Sequence, residues 1–379
     1  MARIIVLQRV VPHYRMPIYR RMAEELNWEI VFGGNVPNND LQLIRDAPFL
    51  HAVNYIPWSN GGTTRYIVPV GSILRKFKPD AIVAEGAPGL TSTWELGVRR
   101  MLGGTALLFW TIGYDPNGPR ESDRLSPVQW PYIAAYAPAD AMILYGKDGV
   151  EFLRRFYPKK PMFIAANTID VEELGLYRDT AIPTPRLGRP ELVTVGRLTP
   201  SKNVVGLVRG FLIFQRKFPD AVLKIVGDGP DRPNVEAAAG DQLGKSIVLV
   251  GASFDEAETA RHLRAADLFV IAGRVGLAIN HALAYDLPVL AIDRGPNGPN
   301  HGSEFHYLVD GRTGFLAQDG SPEGFARKLE EIFAGGRDWK TELRPGIRTF
   351  VQERLMPDRM LDGFRAADEF VARRKRLAN

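Results

Sequence analysis

Cysteine is absent from the 379 residues of the chain. Its absence excludes a disulfide framework, a thiolate metal site and a thiol nucleophile, and it is compatible with a reducing cytoplasm. Long apolar runs are also absent: no window of about 18 residues is both apolar and uncharged, so no membrane-spanning helix is predicted. The run Ile4–Leu7 is too short for the core of a secretory signal and is soon followed by Arg9, so we expect no such signal.

Acidic charge is in slight deficit, with 43 Asp and Glu against 48 Lys and Arg and a formal net charge of +5 at pH 7. The excess lies mainly in residues 1–170, which carry 19 basic and 15 acidic side chains, whereas the remainder carries 29 and 28. This balance favours an acidic partner or an anionic membrane surface for the first half, and solubility alone is the simpler alternative. No nucleic-acid partner is expected.

The length suits two domains of α/β size. Short apolar runs rich in β-branched residues alternate with helical patterns, which predicts an α/β fold with parallel, doubly wound sheets. Neither half has a Gly-x-Gly-x-x-Gly loop after its first strand, which disfavours dinucleotide binding. The proline-containing stretch 171–190 lacks a sustained apolar period, so it is predicted to link domains 1–170 and 191–350, with a helical segment at 351–379.

The stretch Val193–Asn203 carries the strongest indication of chemistry. A buried strand is predicted to end at Gly196, and Arg197 and Lys202 follow before a helical pattern resumes. A glycine that allows close backbone approach, two cations and a helix N-terminus together form a site that can hold phosphate. The alternative is an ordinary strand–helix turn whose cations are solvated.

Two later stretches are Leu223–Glu236, which contains Val-Gly-Asp-Gly-Pro, and Ala266–Pro288. Together with Val193–Asn203, they resemble the carboxy-terminal half of the retaining glycosyltransferases of family 4. The resemblance is close over residues 191–315 and general over the amino-terminal half. It implies the GT-B architecture, in which two Rossmann-like domains face a central cleft and the last helix, here within 351–379, crosses back to the first domain.

In that family a Gly-Arg-Leu…Lys-Asn segment grips the donor diphosphate, and the resemblance assigns this role to Gly196, Arg197 and Lys202. The two cations would neutralise the leaving diphosphate, so neither a metal nor another cofactor is expected. In the first half, a loop stiffened by two prolines presents His13 and Arg15 just beyond a strand end, where open α/β sheets bind ligands. Both are predicted to be catalytic, and the alternative is a surface histidine and a helix-capping arginine.

The chain departs from the family where two glutamates separated by seven residues normally stand. Aligning Gly276 and Leu277 with the family's glycine–aliphatic pair places Gly273 at the first glutamate position and His281 at the second. We expect His281 to hydrogen-bond the donor ribose through a ring nitrogen, and a buried structural histidine is the alternative. The backbone amides from Val275 to Leu277, at the start of a helix, are expected to face phosphate.

Two further donor contacts are implied by the resemblance. Glu304 stands at the position of a family glutamate that takes part in sugar recognition, and Ser253 lies just beyond a strand end where the family cradles the base. The predicted site therefore has four catalytic and seven donor-binding residues: His13, Arg15, Arg197 and Lys202 for catalysis, and Gly196, Ser253, Val275, Gly276, Leu277, His281 and Glu304 for donor binding.

The sequence thus predicts a retaining, metal-independent hexosyltransferase that moves a sugar from a nucleotide-diphospho-sugar to a cell-surface glycan or lipid-linked acceptor. Two alternatives remain open: a sugar-nucleotide epimerase of the same fold, and a catalytically silent relative that binds nucleotide or a partner enzyme. The expected location is the cytoplasm, and a further expectation is peripheral association with the inner face of the plasma membrane. The cations expected to mediate that attachment are Arg75, Lys76, Lys78, Arg99 and Arg100.

Overall fold

The chain folds into two compact units, one made of Met1–Ile169 with Pro357–Asn379 and the other of Asp170–Met356. Within the predicted linker, Val171–Thr180 forms a helix that belongs to the second unit. The structure, a computed structural model, describes residues 2–36, 46–60, 63–115, 127–180, 189–253, 255–295, 298–336 and 338–378.

The first unit is built on a parallel sheet whose strand order, over the described residues, is β3-β2-β1-β6-β7-β8-β9. The strands β4 and β5 pair separately as an antiparallel hairpin. In chain order the strands are β1 (Ile4–Gln8), β2 (Glu29–Gly33), β3 (Leu50–Val53), β4 (Ile56–Asn60), β5 (Thr63–Ile67), β6 (Ala81–Glu85), β7 (Ala106–Thr111), β8 (Ala141–Leu144) and β9 (Met162–Ile164).

Both faces of this sheet are buried. Ile4 and Val6 pack into one hydrophobic core, and Ile5 and Leu7 pack into the other, because successive side chains of a strand point to opposite faces. The helices that cover the sheet include α1 (Met16–Leu26), α2 (Val70–Phe77), α3 (Thr91–Met101), α4 (Trp130–Tyr136) and α5 (Lys147–Arg154).

The second unit contains a parallel sheet with the order β12-β11-β10-β13-β14-β15 in the part of the chain that the structure describes. Its strands are β10 (Glu191–Val195), β11 (Val222–Val226), β12 (Ile247–Gly251), β13 (Leu268–Ile271), β14 (Val289–Ile292) and β15 (Gly314–Ala317). Its helices are α6 (Val171–Thr180), α7 (Val204–Gln215), α8 (Arg232–Ala239), α9 (Glu256–Ala265), α10 (Ala278–Ala284), α11 (Pro322–Ala334) and α12 (Asp338–Arg354).

The last helix, α13 (Pro357–Ala378), belongs to the first unit. Its residues Met360, Leu361, Phe364 and Val371 are buried in the same core as Ile4 and Val6, because their spacing places them on one face of the helix. None of the helices in the described ranges is long and apolar enough to cross a bilayer.

The predicted α/β class with parallel sheets is confirmed. The stretch 35–64 is rich in Asn, Gly, Pro and Ser, which predicts a long irregular connection. That prediction is wrong for the described part, because β3, β4 and the start of β5 lie there. These strands are short, and their polar and aromatic residues show no regular alternation. The helical segment predicted at 351–379 contains parts of two helices, since α12 spans Asp338–Arg354 and α13 begins only at Pro357.

Candidate functional site

The candidate site lies where the strand order of the second sheet reverses. The neighbouring parallel strands β10 and β13 are at the centre of the sheet, and the chain continues from β10 to β11 on the opposite side. In open α/β sheets, the loops beyond the carboxyl ends of two such strands form the ligand crevice. These loops are residues 196–203 and 272–277, so the predicted phosphate loop stands at this point.

Glycines bring the backbone of the first loop close to its neighbours. Gly196 has φ +147, and its N–H donates to the Val226 carbonyl oxygen at 2.9 Å. A Cβ atom on Gly227 would lie 1.9 Å from the Gly196 carbonyl oxygen, so a side chain there is excluded. The Val-Gly-Asp-Gly turn therefore packs directly against the loop that carries Arg197 and Lys202.

Three hydrogen bonds connect the two loops of the crevice. The Lys202 ammonium donates to the Arg274 carbonyl oxygen at 2.9 Å, and the Arg274 N–H donates to the Ser201 carbonyl oxygen at 2.9 Å. The Asn203 side chain donates to the Ala272 carbonyl oxygen at 3.2 Å. The loops thus hold each other in place, and Lys202 is anchored by one of its three donors.

Lys202 is half-buried, and its electrostatics suit an anion. Burial is the largest effect and lowers the pKa of the Lys202 ammonium, the Glu304 carboxylate partly opposes this shift, and Arg274 adds to it. A cation that has lost part of its hydration is stabilised by an arriving negative charge. Lys202 is therefore placed to gain interaction energy from a phosphate group.

Four predicted site residues line a single recess: Gly196, Arg197, Lys202 and Gly276. Arg197 is exposed, and a Cβ atom on Gly276 would lie 3.4 Å from the Lys202 ammonium nitrogen. Glycine at that position therefore keeps the space beside the ammonium open. Two cations, beside backbone free of side chains, give an arrangement that can bind an anionic group such as a diphosphate.

Gly273, which stands at the first family glutamate position, has no space for a side chain. A Cβ atom there would lie 2.3 Å from both the carbonyl carbon and the carbonyl oxygen of Lys202, and 2.6 Å from the Ser201 carbonyl oxygen. A glutamate is therefore incompatible with this backbone. Glycine in place of the family glutamate thus allows the loops 196–203 and 272–277 to approach closely.

The backbone amides of the second loop are not equivalent. The Val275 N–H donates to Nδ1 of His301 at 3.1 Å, so this predicted donor-binding amide already has an acceptor. His301 is fully buried, and its Nε2 donates to the Ile292 carbonyl oxygen at 3.0 Å. Within the described ranges, the amides of Gly276 and Leu277 have no acceptor in the protein, which leaves these two of the predicted three for a ligand.

Glu304 lies in a short 3-10 turn, Ser303–Tyr307, and is only 6% exposed. A Cβ atom on Gly302 would lie 2.3 Å from the Glu304 carboxylate oxygen Oε2, so glycine gives this carboxylate its space. Because Glu304 raises the pKa of Lys202, its negative charge acts on the same ammonium as a bound phosphate would. The structure therefore brings Glu304 to the electrostatic environment of Lys202.

Two predicted donor-binding residues outside the lining of the recess, Ser253 and His281, have acidic partners on α9. The Ser253 hydroxyl donates to Glu258 at 2.6 Å, near the start of α9. Nε2 of His281 lies 3.3 Å from Oε2 of Glu256, whose other oxygen accepts a 2.9 Å hydrogen bond from the Tyr285 hydroxyl. His281 thus has a carboxylate partner on α9, and its predicted contact with a ribose would have to coexist with that pair.

The predicted catalytic residues of the first unit differ in exposure. His13 is half-buried in a 3-10 turn after β1. Arg15 is buried: its guanidinium hydrogen-bonds the Asn167 side chain and lies 5.1 Å from the Trp110 ring centre and 5.6 Å from that of Tyr145. This placement favours a structural role for Arg15 over the predicted catalytic one.

Two residues of the site were not identified from the sequence. Asn203 adopts the left-handed conformation with φ 48, and its side chain accepts from the Gly206 N–H at 3.2 Å. An Asn before a helical pattern is a known N-cap signal, so this role was detectable. The role of His301 had no local signal, because its partners Val275 and Ile292 are distant in sequence. Among the described residues, no group of three or more His, Cys, Asp or Glu side chains is placed to hold a metal ion.

Comparison with known proteins is consistent with this geometry. Residues 189–334 match the family model described as Glycosyl transferases group 1. The chain is 28% identical over 230 residues to the lipopolysaccharide core biosynthesis glycosyltransferase LpsE of Rhizobium meliloti (strain 1021). That match covers 53% of this chain and 65% of LpsE, so the chain spans just under two thirds of this relative.

Solved structures resemble the chain over nearly its whole length. A glycosyltransferase from Rickettsia africae ESF-5 has a TM-score of 0.68 at 14% identity and covers 98% of both chains. Anabaena Alr3699/HepE, solved in complex with UDP, also has a TM-score of 0.68 at 14% identity, covering 98% of this chain and 100% of its own. At this identity the likeness shows the fold, and it confirms the α/β fold of GT-B type. Residues 189–334 of the chain thus resemble the glycosyl transferases group 1 family.

Proposed function

We propose that the protein is a retaining hexosyltransferase that moves a sugar from a nucleotide-diphospho-sugar to a cell-surface glycan or lipid-linked acceptor. The observation that carries the proposal is the recess at the strand-order reversal, where Arg197 and Lys202 stand beside Gly196 and Gly276. Support for the substrates comes from similar proteins. HepE of Anabaena was solved with UDP, and the relative LpsE is named for lipopolysaccharide core biosynthesis.

In this proposal the chain's own cations stabilise the leaving group. As the bond between the sugar and the diphosphate breaks, negative charge develops on the departing oxygen, and Arg197 and Lys202 are positioned to neutralise it. The free amides of Gly276 and Leu277 supply further donors to phosphate. We therefore propose that transfer needs no metal ion or other cofactor.

The remaining site residues have proposed roles in donor recognition. Glu304 recognises the sugar, His281 the ribose, and Ser253 the base, as the family pattern implies. His13 is retained as a proposed catalytic group of the first unit. The proposed place of action is the cytoplasm, peripherally at the inner face of the plasma membrane, where a lipid-linked acceptor is accessible.

Donor binding tests the proposal most directly. A thermal-shift screen with UDP-, GDP-, ADP- and CMP-linked sugars is expected to raise the melting temperature with one base series, because a ligand of the native state stabilises it. Calorimetry then measures the affinity for the matching nucleoside diphosphate, and Lys202→Ala is expected to weaken it. Absence of binding by every nucleoside diphosphate at millimolar concentration would refute the proposal.

Stereochemistry and metal dependence are tested on the product. With an active donor and acceptor pair, NMR of the new glycosidic bond is expected to show the same anomeric configuration as the donor. Excess EDTA is expected to leave the rate unchanged. An inverted anomer would overturn the retaining assignment, and activity that returns only with added divalent metal would overturn metal independence.

A second candidate function is binding without catalysis: the protein would bind nucleotide or a partner enzyme and transfer no sugar. The observation that favours it is Gly273, where the backbone of Ser201 and Lys202 excludes the family glutamate. Intact nucleotide binding with no transfer across a panel of donors and acceptors would establish this alternative. Product analysis without an acceptor also detects a sugar-nucleotide epimerase, which would change the donor itself.

A further inference from the structure

Helix α3 in the first unit exposes an apolar face. Trp94, Val98, Met101 and Leu102 are 43%, 51%, 68% and 82% exposed. Their spacing of four, three and one residues places them on the same side of the helix, including the residue just after its end. We call these four residues the α3 surface. The opposite side of α3, with Leu96, is buried in the core of the unit.

Exposure of this kind indicates an interaction site. Single exposed apolar residues are common on soluble proteins, whereas a contiguous apolar patch marks a binding surface. Trp94 is also fixed in orientation, because its indole N–H donates to the Pro88 carbonyl oxygen at 2.8 Å. Its polar atom is satisfied within the protein while much of the ring stays exposed.

Positive charge borders the α3 surface. The first turn of α2 lies beside the last turn of α3, since a Cβ atom on Gly71 would be 3.2 Å from the Arg99 guanidinium. Arg75, Lys76 and Lys78 are exposed on or just after α2, and α2 contains no acidic residue. The Glu95 carboxylate beside them is already paired with Arg99 at 2.8 Å, so the border has a net positive charge.

One predicted membrane cation does not contribute to this border. The Arg100 guanidinium makes two hydrogen bonds with Asp140, at 2.6 and 2.9 Å, and Arg374 pairs with the same carboxylate at 2.9 Å. The Arg100 side chain is 19% exposed. Its charge is therefore used within the unit, and we exclude it from the membrane contact.

We propose that the α3 surface inserts into the interfacial region of an anionic lipid bilayer, while the α2 cations bind the lipid headgroups. An exposed apolar face with tryptophan and a basic border is the pattern of an interfacial membrane helix. The positive charge beside the α3 surface favours an anionic lipid over an apolar protein partner, because headgroup phosphates complement the cations. The proposal is independent of the transfer reaction, since vesicle binding is measured without donor or acceptor.

Vesicle co-sedimentation of the full chain tests the proposal. We expect binding to phosphatidylcholine vesicles with about 30% phosphatidylglycerol and weaker binding to pure phosphatidylcholine. High salt is expected to weaken binding to the anionic vesicles, because it screens the attraction between the cations and the headgroups. The double variant Met101→Ser with Leu102→Ser is expected to lower the partition coefficient about tenfold or more, because two apolar side chains are lost from the lipid contact. Both side chains are exposed, so folding should persist, and the melting temperature checks this.

A matched control removes two apolar side chains of similar exposed fraction elsewhere. Leu176 and Leu377 are 69% and 84% exposed, and Leu176→Ser with Leu377→Ser is expected to leave vesicle binding unchanged. An equal loss of vesicle binding in both double variants would overturn the assignment to the α3 surface. No binding of the wild-type chain to the anionic vesicles would overturn the proposal altogether.

Fluorescence quenching locates the contact. Lipids brominated on the acyl chain near the headgroup are expected to quench the wild-type emission, and most of that quenching should be lost in Trp94→Phe. Unchanged quenching in this variant would contradict insertion of α3. If instead sedimentation velocity shows self-association that Met101→Ser with Leu102→Ser abolishes, without vesicle binding, the surface contacts a second copy and the lipid proposal fails.

Discussion

The first strand–helix loops of the two units occupy the same topological place but are built differently. Each follows the central strand at which its sheet reverses order. In the second unit the loop after β10 starts with Gly196 at φ +147, and its Arg197 is exposed. In the first unit the loop after β1 contains Pro12, and its Arg15 is buried between aromatic rings.

This difference shows that a cation at a strand end is not by itself a ligand-binding group. Glycines at 196 and 227 let the second loop pack by its backbone, and Arg197 stays exposed while Lys202 lines the recess. In the first loop, Trp110, Tyr145 and Asn167 enclose the guanidinium of Arg15, and cation–π contacts and a hydrogen bond take the place of a ligand. The surroundings of each cation, and not its position in the topology, decide its use.

The largest effect is expected on the rate of sugar transfer, when a cation in the loop after β10 is removed. Lys202→Ala and Arg197→Ala are each expected to slow sugar transfer by about 10²–10³, the scale for removing one group that stabilises transition-state charge. Steady-state kinetics measures the effect. Lys217→Ala is the control, because that lysine is exposed and paired with Glu330. Near-wild-type turnover in both site variants would contradict the phosphate-binding assignment.

In the first unit, the corresponding change should affect stability. Arg15→Ala is expected to lower the free energy of unfolding by about 2–4 kcal/mol, because it removes a charged hydrogen bond and the cation–π contacts with Trp110 and Tyr145, among others. Arg20→Ala, at an exposed position of α1, should change it by less than about 0.5 kcal/mol. Denaturant titration measures both. A stable Arg15→Ala protein with strongly reduced transfer would instead support the catalytic prediction.

The contact between the two loops of the second unit is tested at Gly273. Gly273→Ala places a Cβ atom against the backbone of Lys202 and is expected to cost about 1–3 kcal/mol of stability, as for other overpacked sites. Gly335→Ala is the control, since a Cβ atom there has no neighbour within 4 Å. Thermal unfolding compares the two variants. Equal melting temperatures would show that the loops separate easily.

Substitution of His281 distinguishes a role in donor binding from a structural pair with Glu256. We expect His281→Ala to raise the KM for the donor about tenfold to a hundredfold, the value of one or two hydrogen bonds. Stability should change by less than about 1 kcal/mol, because the pair with Glu256 is partly exposed. His306→Ala, at an exposed position, is the control. A lowered melting temperature with an unchanged KM would show that His281 serves its carboxylate partner only.

The smallest expected effect is on pH dependence. Because burial lowers the pKa of Lys202 below the ordinary lysine value of 10.5, the ammonium loses its proton at a lower pH than a solvated lysine does. Affinity for nucleoside diphosphate should therefore fall as the pH rises toward the ordinary lysine pKa. Lys202→Arg keeps its charge there and should bind with an affinity that changes less with pH. Calorimetry at several pH values measures both, and identical profiles would contradict the role of the Lys202 charge.

Much of the fold could be predicted because its signals are local. The sequence pattern predicts a helix at 232–239 and strands at 268–271 and 289–292, and these bounds match α8, β13 and β14 residue for residue. The signals for them, apolar runs with glycine or proline at their ends, lie within a few residues of each other. The short strands β3 to β5 were missed, because they lack a regular alternation. The merged helices α12 and α13 were missed because helical periodicity does not reveal which unit a helix packs against.

The sequence by itself determined the α/β class and the absence of the two family glutamates, and it predicted phosphate binding by Gly196, Arg197 and Lys202. Only the tertiary structure decided that Arg15 is enclosed, that Gly273 touches the Lys202 backbone, and that His301 holds Val275. The physical reason is distance along the chain. Composition and periodicity report on neighbours a few residues apart, whereas each of these contacts joins residues tens of positions apart, and their packing depends on the whole fold.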